Sequence, residues 1–212
     1  MGSISSYYIL QFLMRIIILF LAIPIHEAAH AWAALKCGDE TARNQGRLTI
    51  SPFAHLDFFG SLCMVITGFG WGKPVMVNPS NFKNRKRDSV LVAFAGPASN
   101  LLLGLLLVVA FKVLMLMKIV TGIGNAAMVF QYIIILNIYL AVFNILPVPP
   151  LDGSKLLLAV LPPKHAFKLI QYQQYIFMAM IALLLWTPLS SILSDASYKI
   201  YALFNIITGF IG

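Results

Sequence analysis

Apolar positions in this chain fall in long runs, separated by short segments rich in charge, Gly and Pro. Tyr7 to Leu35, Ser89 to Phe111, Ala126 to Leu146 and Phe167 to Trp186 each approach or exceed the roughly 20 mainly apolar residues that carry a helix across a hydrocarbon layer about 30 Å thick. Leu189 to Phe210 forms a fifth, less cleanly. The pattern predicts a polytopic α-helical membrane protein with four to five transmembrane helices. The first helix should end near Lys36-Cys37-Gly38-Asp39, where Gly38 suits a C-terminal cap.

The stretch between the first two helices reads differently. Arg47-Leu48-Thr49-Ile50 and Lys73-Pro74-Val75-Met76-Val77-Asn78-Pro79 have the look of short strands bounded by Gly and Pro. Phe58 to Phe69, between them, is apolar but short for a helical span, and Gly60, Gly68 and Gly70 argue against a standard helix. With basic loops on both sides, this segment must enter the membrane and return. A small re-entrant β element is therefore expected here, beside a polar cavity that satisfies its amides.

From Ser89 the second long helix runs outward, a short outer loop holds Lys112, Lys118 and Asn125, and the third helix returns inward to Asn144 and the Pro-rich segment ending at Gly153. The first and third helices then run in the same direction. No repeat or low-complexity tract is evident, and the longest inter-helix loops are only about 20 residues. Residues 1–212 are expected to form a single domain, with a core over 7–160 and C-terminal helices over 165–210. The first apolar run is too long for a cleavable signal peptide.

Composition sharpens the membrane assignment. Of the 212 residues 60% are apolar and only 10% charged, with a mean hydropathy of +0.87, outside the range of soluble domains. The net charge of +8 would suggest nucleic acid until the cations are placed. Lys36, Arg43 and Arg47, then Lys73, Lys83, Arg85, Lys86 and Arg87, then Lys155, Lys164 and Lys168 flank the spans. Such excess marks the cytoplasmic face and the anionic leaflet, so the lipid bilayer is the expected partner and nucleic acid is not. Asp195 and Lys199 are spaced to pair on the last helix. Cys37 and Cys63 suggest no disulfide framework and read as packing residues.

One segment inside the first apolar run is chemically exceptional. His26-Glu27-Ala28-Ala29-His30 places two imidazoles four residues apart on one helix face, with a carboxylate able to reach a water on a metal held between them. Asp152, at the end of the third helix, lies at a matching depth. Ionisable residues inside a membrane cost roughly 2.5–3.5 kcal/mol for an Asp on insertion scales, so function is their default reading.

Together these residues resemble the site-2 protease family of intramembrane zinc metalloproteases. His26-Glu27-Ala28-Ala29-His30 resembles its zinc motif, Gly96-Pro97-Ala98-Ser99-Asn100 its second-helix signature, and Asn144 through Pro147 with Leu151-Asp152-Gly153 its third. The text around Ser51 to Asp57 and Trp71 to Val75 is similar to compact members without accessory domains, Phe58 replacing a common proline. The resemblance implies one Zn2+ per chain held by His26, His30 and Asp152, with Glu27 as general base and acid and Asn144 holding the substrate backbone. It implies a transmembrane protein substrate, regulated intramembrane proteolysis, and a multi-pass protein of a prokaryotic cell membrane with its site toward the cytoplasm. A homo-oligomer or a regulatory membrane partner is compatible with it.

Gly96, Pro97 and Asn100 also suit close helix packing, Pro147 and Gly153 shape the turn that frees Asp152, and His55 fits a loop or supporting position better than ligation. His165 reads as interfacial. The rival reading is a membrane zinc carrier using the same ligands without hydrolysis. A conducting route would need more intramembrane polar sites than Glu27 and Asp152 supply.

Overall fold

The computed structural model describes residues 2–67, 70–186 and 189–211. Helix α1 (Gly2–Ile17) passes through a π-helical turn, Ile18–Ala22, directly into α2 (Ile23–Lys36). The widened turn has a local cause. Pro24 has no amide to offer the carbonyl four residues back, and the Ile23 N–H reaches instead to the carbonyl of Ile18. α2 ends where Gly38 takes φ +104°, a left-handed conformation in which a side chain would be strained.

The connection to the next long helix holds three short helices, α3 (Thr41–Asn44), α4 (Pro52–His55) and α5 (Phe58–Thr67), and a 3-10 turn at Pro79–Asn81. The two strands expected from the sequence do not form: among the described residues the only β pairing is an isolated antiparallel bridge between Leu56 and Gly72. That bridge carries the backbone bond from the Lys73 amide to the His55 carbonyl at 2.7 Å. Beyond it the amides that would extend a ladder have other acceptors, Val75 donating to the Glu27 carboxylate at 2.9 Å and Asn78 to the Asp39 carboxylate at 2.7 Å, while Pro74 and Pro79 have none to give.

The segment expected to be irregular, 58–67, is instead the helix α5. Asp57 initiates it, its carboxylate accepting from the Gly60 amide at 2.8 Å, and Arg15 closes it by donating to the Val65 and Ile66 carbonyls at 2.7 and 3.0 Å. Gly60 serves close approach rather than breaking the helix, since a Cβ there would lie 2.1 Å from the Trp71 carbonyl oxygen. Gly68 and Phe69 lie outside the described residues.

α6 (Arg85–Leu116) follows, opened by a reciprocal cap: Asn84 Oδ1 accepts from the Arg87 amide at 3.1 Å, and Asp88 Oδ2 accepts from the Asn84 amide at 2.9 Å. The 117–124 turn leads to α7 (Asn125–Ile145), and then come α8 (Ser154–Val160), α9 (Pro163–Gln171), α10 (Gln173–Trp186), α11 (Leu189–Ile207) and a final 3-10 turn at Gly209–Ile211.

Three helical stretches are long and apolar enough to cross a membrane singly: Phe12–Lys36, Arg85–Leu116 and Ala126–Ile145. Gln173–Leu184 and Leu189–Ile207 pass that test only as a pair inclined by 79°, making up to four spans, so the fourth and fifth apolar runs do not make two independent spans. α6 is the central element, packing along both α2 and α7, and α11 packs mainly on α7 while also touching α6. Val108, Ile134, Ile138 and Phe204 join α6, α7 and α11, Ala33, Ala34, Phe82 and Val92 join α2 to α6, and Ile18, Leu19, Ala22 and Met64 seat α5 on the first span. Leu102 and Leu106, on the outer face of α6, are more than half exposed, as lipid-facing positions of a multi-pass membrane protein are.

Candidate metal centre

α2 presents His26 and His30 one helical turn apart, both buried, and the turn after α7 brings Asp152 against them. His26 Nε2, His30 Nε2 and Asp152 Oδ2 lie 3.0 Å from one another along all three edges. Three donors on tetrahedral bonds of about 2.0–2.1 Å would stand roughly 3.3 Å apart, so this triangle fits a small divalent ion on its face. Among the described residues these three form the group of His, Cys, Asp or Glu able to hold a metal.

The surroundings orient each donor. His30 Nδ1 is 2.7 Å from the Val92 carbonyl, which can only accept, so Nδ1 carries the proton and Nε2 keeps a lone pair aimed into the triangle. His26 Nδ1 faces the Asn100 amide at 3.3 Å, and Asn100 Oδ1 is buried without a partner. Turning that amide by half a rotation sets Oδ1 against Nδ1–H, satisfies the orphan acceptor and frees His26 Nε2 in the same way. Asp152 Oδ2 completes the donor set, and as a carboxylate it would bring the negative charge that ligation uses. Lys155 Nζ stands 3.6 Å from the other oxygen of Asp152.

Gly96 lies against the triangle: a Cβ there would be 2.4 Å from His30 Nε2 and 2.6 Å from His26 Nε2. Only a glycine lets α6 come this close. Pro97 follows it, buried in α6. Gly153 is required by close packing of the turn, since its Cβ would fall 2.0 Å from the Ile145 carbonyl oxygen, and its amide donates to the Asn144 carbonyl at 2.7 Å.

Glu27 projects toward the loop, where Val75 N–H donates to Oε2. Asn144, half-buried, turns its side chain back to donate to the Leu140 carbonyl of its own helix at 2.9 Å; the structure gives it no hydrogen bond to the triangle. Pro147 lies in the turn between α7 and Asp152. His55 is fully buried away from the triangle, with Nε2 2.7 Å from the Thr49 carbonyl, and it pins the loop.

Sequence reading did not single out the Val92 carbonyl or the Val75 amide, because backbone groups leave no mark on residue type. Asp39 was legible only as part of a helix end. It is fully buried and accepts from the Thr41 amide at 3.1 Å, the Asn78 amide at 2.7 Å and Asn81 Nδ2 at 2.8 Å, as well as from the Thr41 hydroxyl. Burial raises its carboxyl and those hydrogen bonds more than reverse the effect, leaving it below its ordinary value.

A His-x-x-x-His helix closed by a distant aspartate, with a glutamate beside the first histidine, is a donor set suited to a metallopeptidase. Comparison with known proteins agrees: residues 14–187 match the model of peptidase family M50. The chain belongs to this family, the site-2 proteases, and is a zinc metalloprotease. It is 41% identical over 192 residues to "Putative zinc metalloprotease YwhC" of Bacillus subtilis (strain 168), covering 87% of this chain and 86% of that protein. It is 28% identical over 202 residues to "Putative zinc metalloprotease Rip2" of Mycobacterium tuberculosis (strain H37Rv), covering 92% and 75%. Rip2 of Mycolicibacterium smegmatis is 27% identical over 190 residues, covering 85% and 70%. No solved structure matches the chain.

Proposed function

We propose that this chain is a single-domain, zinc-dependent intramembrane endopeptidase that cleaves transmembrane segments of other proteins, with one Zn2+ held by His26, His30 and Asp152. The observation that carries the reading is the 3.0 Å triangle of donors assembled from positions 26, 30 and 152 beside Glu27. A zinc held by His26, His30 and Asp152 would supply Lewis acidity, making a water nucleophilic near neutral pH and polarising a peptide carbonyl.

The protein's own residues do the rest. Val92 and Asn100 fix the two imidazoles with their Nε2 atoms facing the ion, and Asp152 supplies the negative charge. Val75 N–H holds Glu27 Oε2 and so orients the carboxylate, leaving Oε1 to take the attacking water's proton and pass it to the leaving nitrogen. With the Val75 amide kept on Glu27, the opposite edge of the 73–78 segment would pair with an unwound substrate by strand addition. That pairing is the role left for the strand-like sequence, which has no partner strand of its own. Asn144, at the lip of α7, has an amide that can exchange the Leu140 carbonyl for a substrate backbone group.

The basic residues flanking the spans support a cytoplasmic placement of the site, and the bacterial relatives support a prokaryotic cytoplasmic membrane. Regulated intramembrane proteolysis is the setting that fits such an enzyme. The test is Glu27→Gln in the purified protein. It should keep one zinc per chain and lose cleavage of a membrane-protein substrate; hydrolysis persisting at the wild-type rate would remove Glu27 from the mechanism.

A further inference from the structure

A cavity of about 510 Å³ opens beside the metal centre, between the 73–79 segment, the start of α6 and α8. Val75, Val77, Phe82 and Leu158 make its walls apolar, and Arg85, Lys86 and Lys155 bring three cations to it; no carboxylate is among its lining residues. Two of these residues also touch the reactive groups. Val75 donates its amide to Glu27, and Lys155 stands 3.6 Å from Asp152 Oδ1. The cavity thus adjoins the place where a peptide bond would be cut, and a residue flanking that bond on the α8 side can reach it.

We propose that this cavity is a substrate subsite that selects an acidic side chain, Asp or Glu, flanked by apolar residues and lying next to the cleaved bond. The assignment rests on the proteolytic reading above and names the class of segment it would act on. A carboxylate there meets Lys155, Arg85 and Lys86, while its apolar neighbours lie on Phe82, Val77 and Leu158. Asp152 cannot satisfy all of this charge, because its Oδ2 is engaged with His26 and His30. A lysine or arginine at the same substrate position would face three like charges, so the cavity excludes as well as attracts. Val75 and Lys155, which line the cavity, also reach Glu27 and Asp152, and that link to the groups of the cleavage site favours a polypeptide over a lipid headgroup.

The test uses zinc-loaded, full-length Glu27→Gln protein in an uncharged detergent and rhodamine-labelled apolar peptides that differ at one residue only, Asp, Asn or Lys. The Asp peptide should bind roughly tenfold or more tighter than the Asn peptide, the order expected of a charge-assisted contact, and the Lys peptide most weakly. Adding Lys155→Gln or Arg85→Gln should bring the three affinities together; Arg85 is exposed, so its variant guards against misfolding, and zinc content reports an intact site. Equal affinities for all three peptides, or discrimination that survives both variants, overturns the proposal. So does phosphatidylglycerol that copurifies with the parent protein and is lost in Lys155→Gln while the peptides bind alike, an outcome that gives the cavity to a lipid headgroup. Charge discrimination in a protein whose wild-type form cuts none of the peptides would instead remove the hydrolytic reading and leave the acid-binding cavity standing.

Discussion

Gly96 has no room for even one methyl group, and the atoms it would strike are the two imidazole nitrogens that face the metal position. Gly96→Ala should therefore push α6 from α2 or turn the rings, and its signature is loss of zinc before loss of helix. Metal titration against circular dichroism separates the two; normal zinc affinity in that variant would show that the helices can part without cost. Asn100 acts through His26 rather than on the metal. Asn100→Ala should weaken zinc by about 10–100-fold, the range for groups that orient a liganding histidine, while Asn100→Asp, which keeps an acceptor facing Nδ1–H, should recover much of it. Unchanged affinity in the alanine variant would mean that the ring needs no such support. Cys37 has little chemistry to offer, since burial and the nearby Asp88 carboxylate raise its thiol above the ordinary value.

The loop between the first and second spans is held by buried polar groups rather than by a sheet. Asp39 ties the start of α3 at Thr41 to the 78–81 turn through Asn78 and Asn81, and Arg47 is buried where it donates to the Ala54 carbonyl. Because the folded-state pKa of Asp39 is depressed below its ordinary value of 3.8, its stabilisation is complete above that value and is lost as pH falls through the lower folded value. Asp39→Ala should cost about 1–3 kcal/mol at neutral pH by orphaning its donors, and the gap to wild type should close on acidification. Thermal melts between neutral and strongly acidic pH would show this, and a constant gap would deny Asp39 the role.

Here the sequence misled, for identifiable reasons. The β-rich text of 73–79 and the glycines of 58–69 describe local preference, but Asp57, Arg15, Glu27 and Asp39 supply caps and acceptors from outside those windows, and tertiary partners decide the outcome. The long helices were legible because membrane length and hydropathy act within each segment. Lys73 to Asn78 still borders the centre, and Val75→Pro, which deletes the amide on Glu27, should lower kcat while zinc stays bound.

Across the whole molecule, the donor triangle of His26, His30 and Asp152 closes a long loop of chain. His26 and His30 come from the first span, Gly96 and Asn100 from the helix packed on it, and Asp152 from the turn after α7, so the triangle exists only when three spans are correctly assembled. The motif in α2 was legible on its own, since four-residue spacing puts two side chains on one face of any helix. The place of Asp152 was not fixed by spacing, because nothing within residues 31–151 dictates which end of the third helix meets the first; depth and family resemblance supplied the expectation. His55, the remaining buried histidine, provides the control, being held by Thr49 in a separate part of the fold. The most direct measurement is the zinc content of the detergent-purified protein beside Asp152→Ala and His55→Ala. One zinc per chain in wild type, lost in Asp152→Ala and kept in His55→Ala, is the expected result; zinc that is indifferent to Asp152, or that leaves with His55, would contradict the three-donor centre.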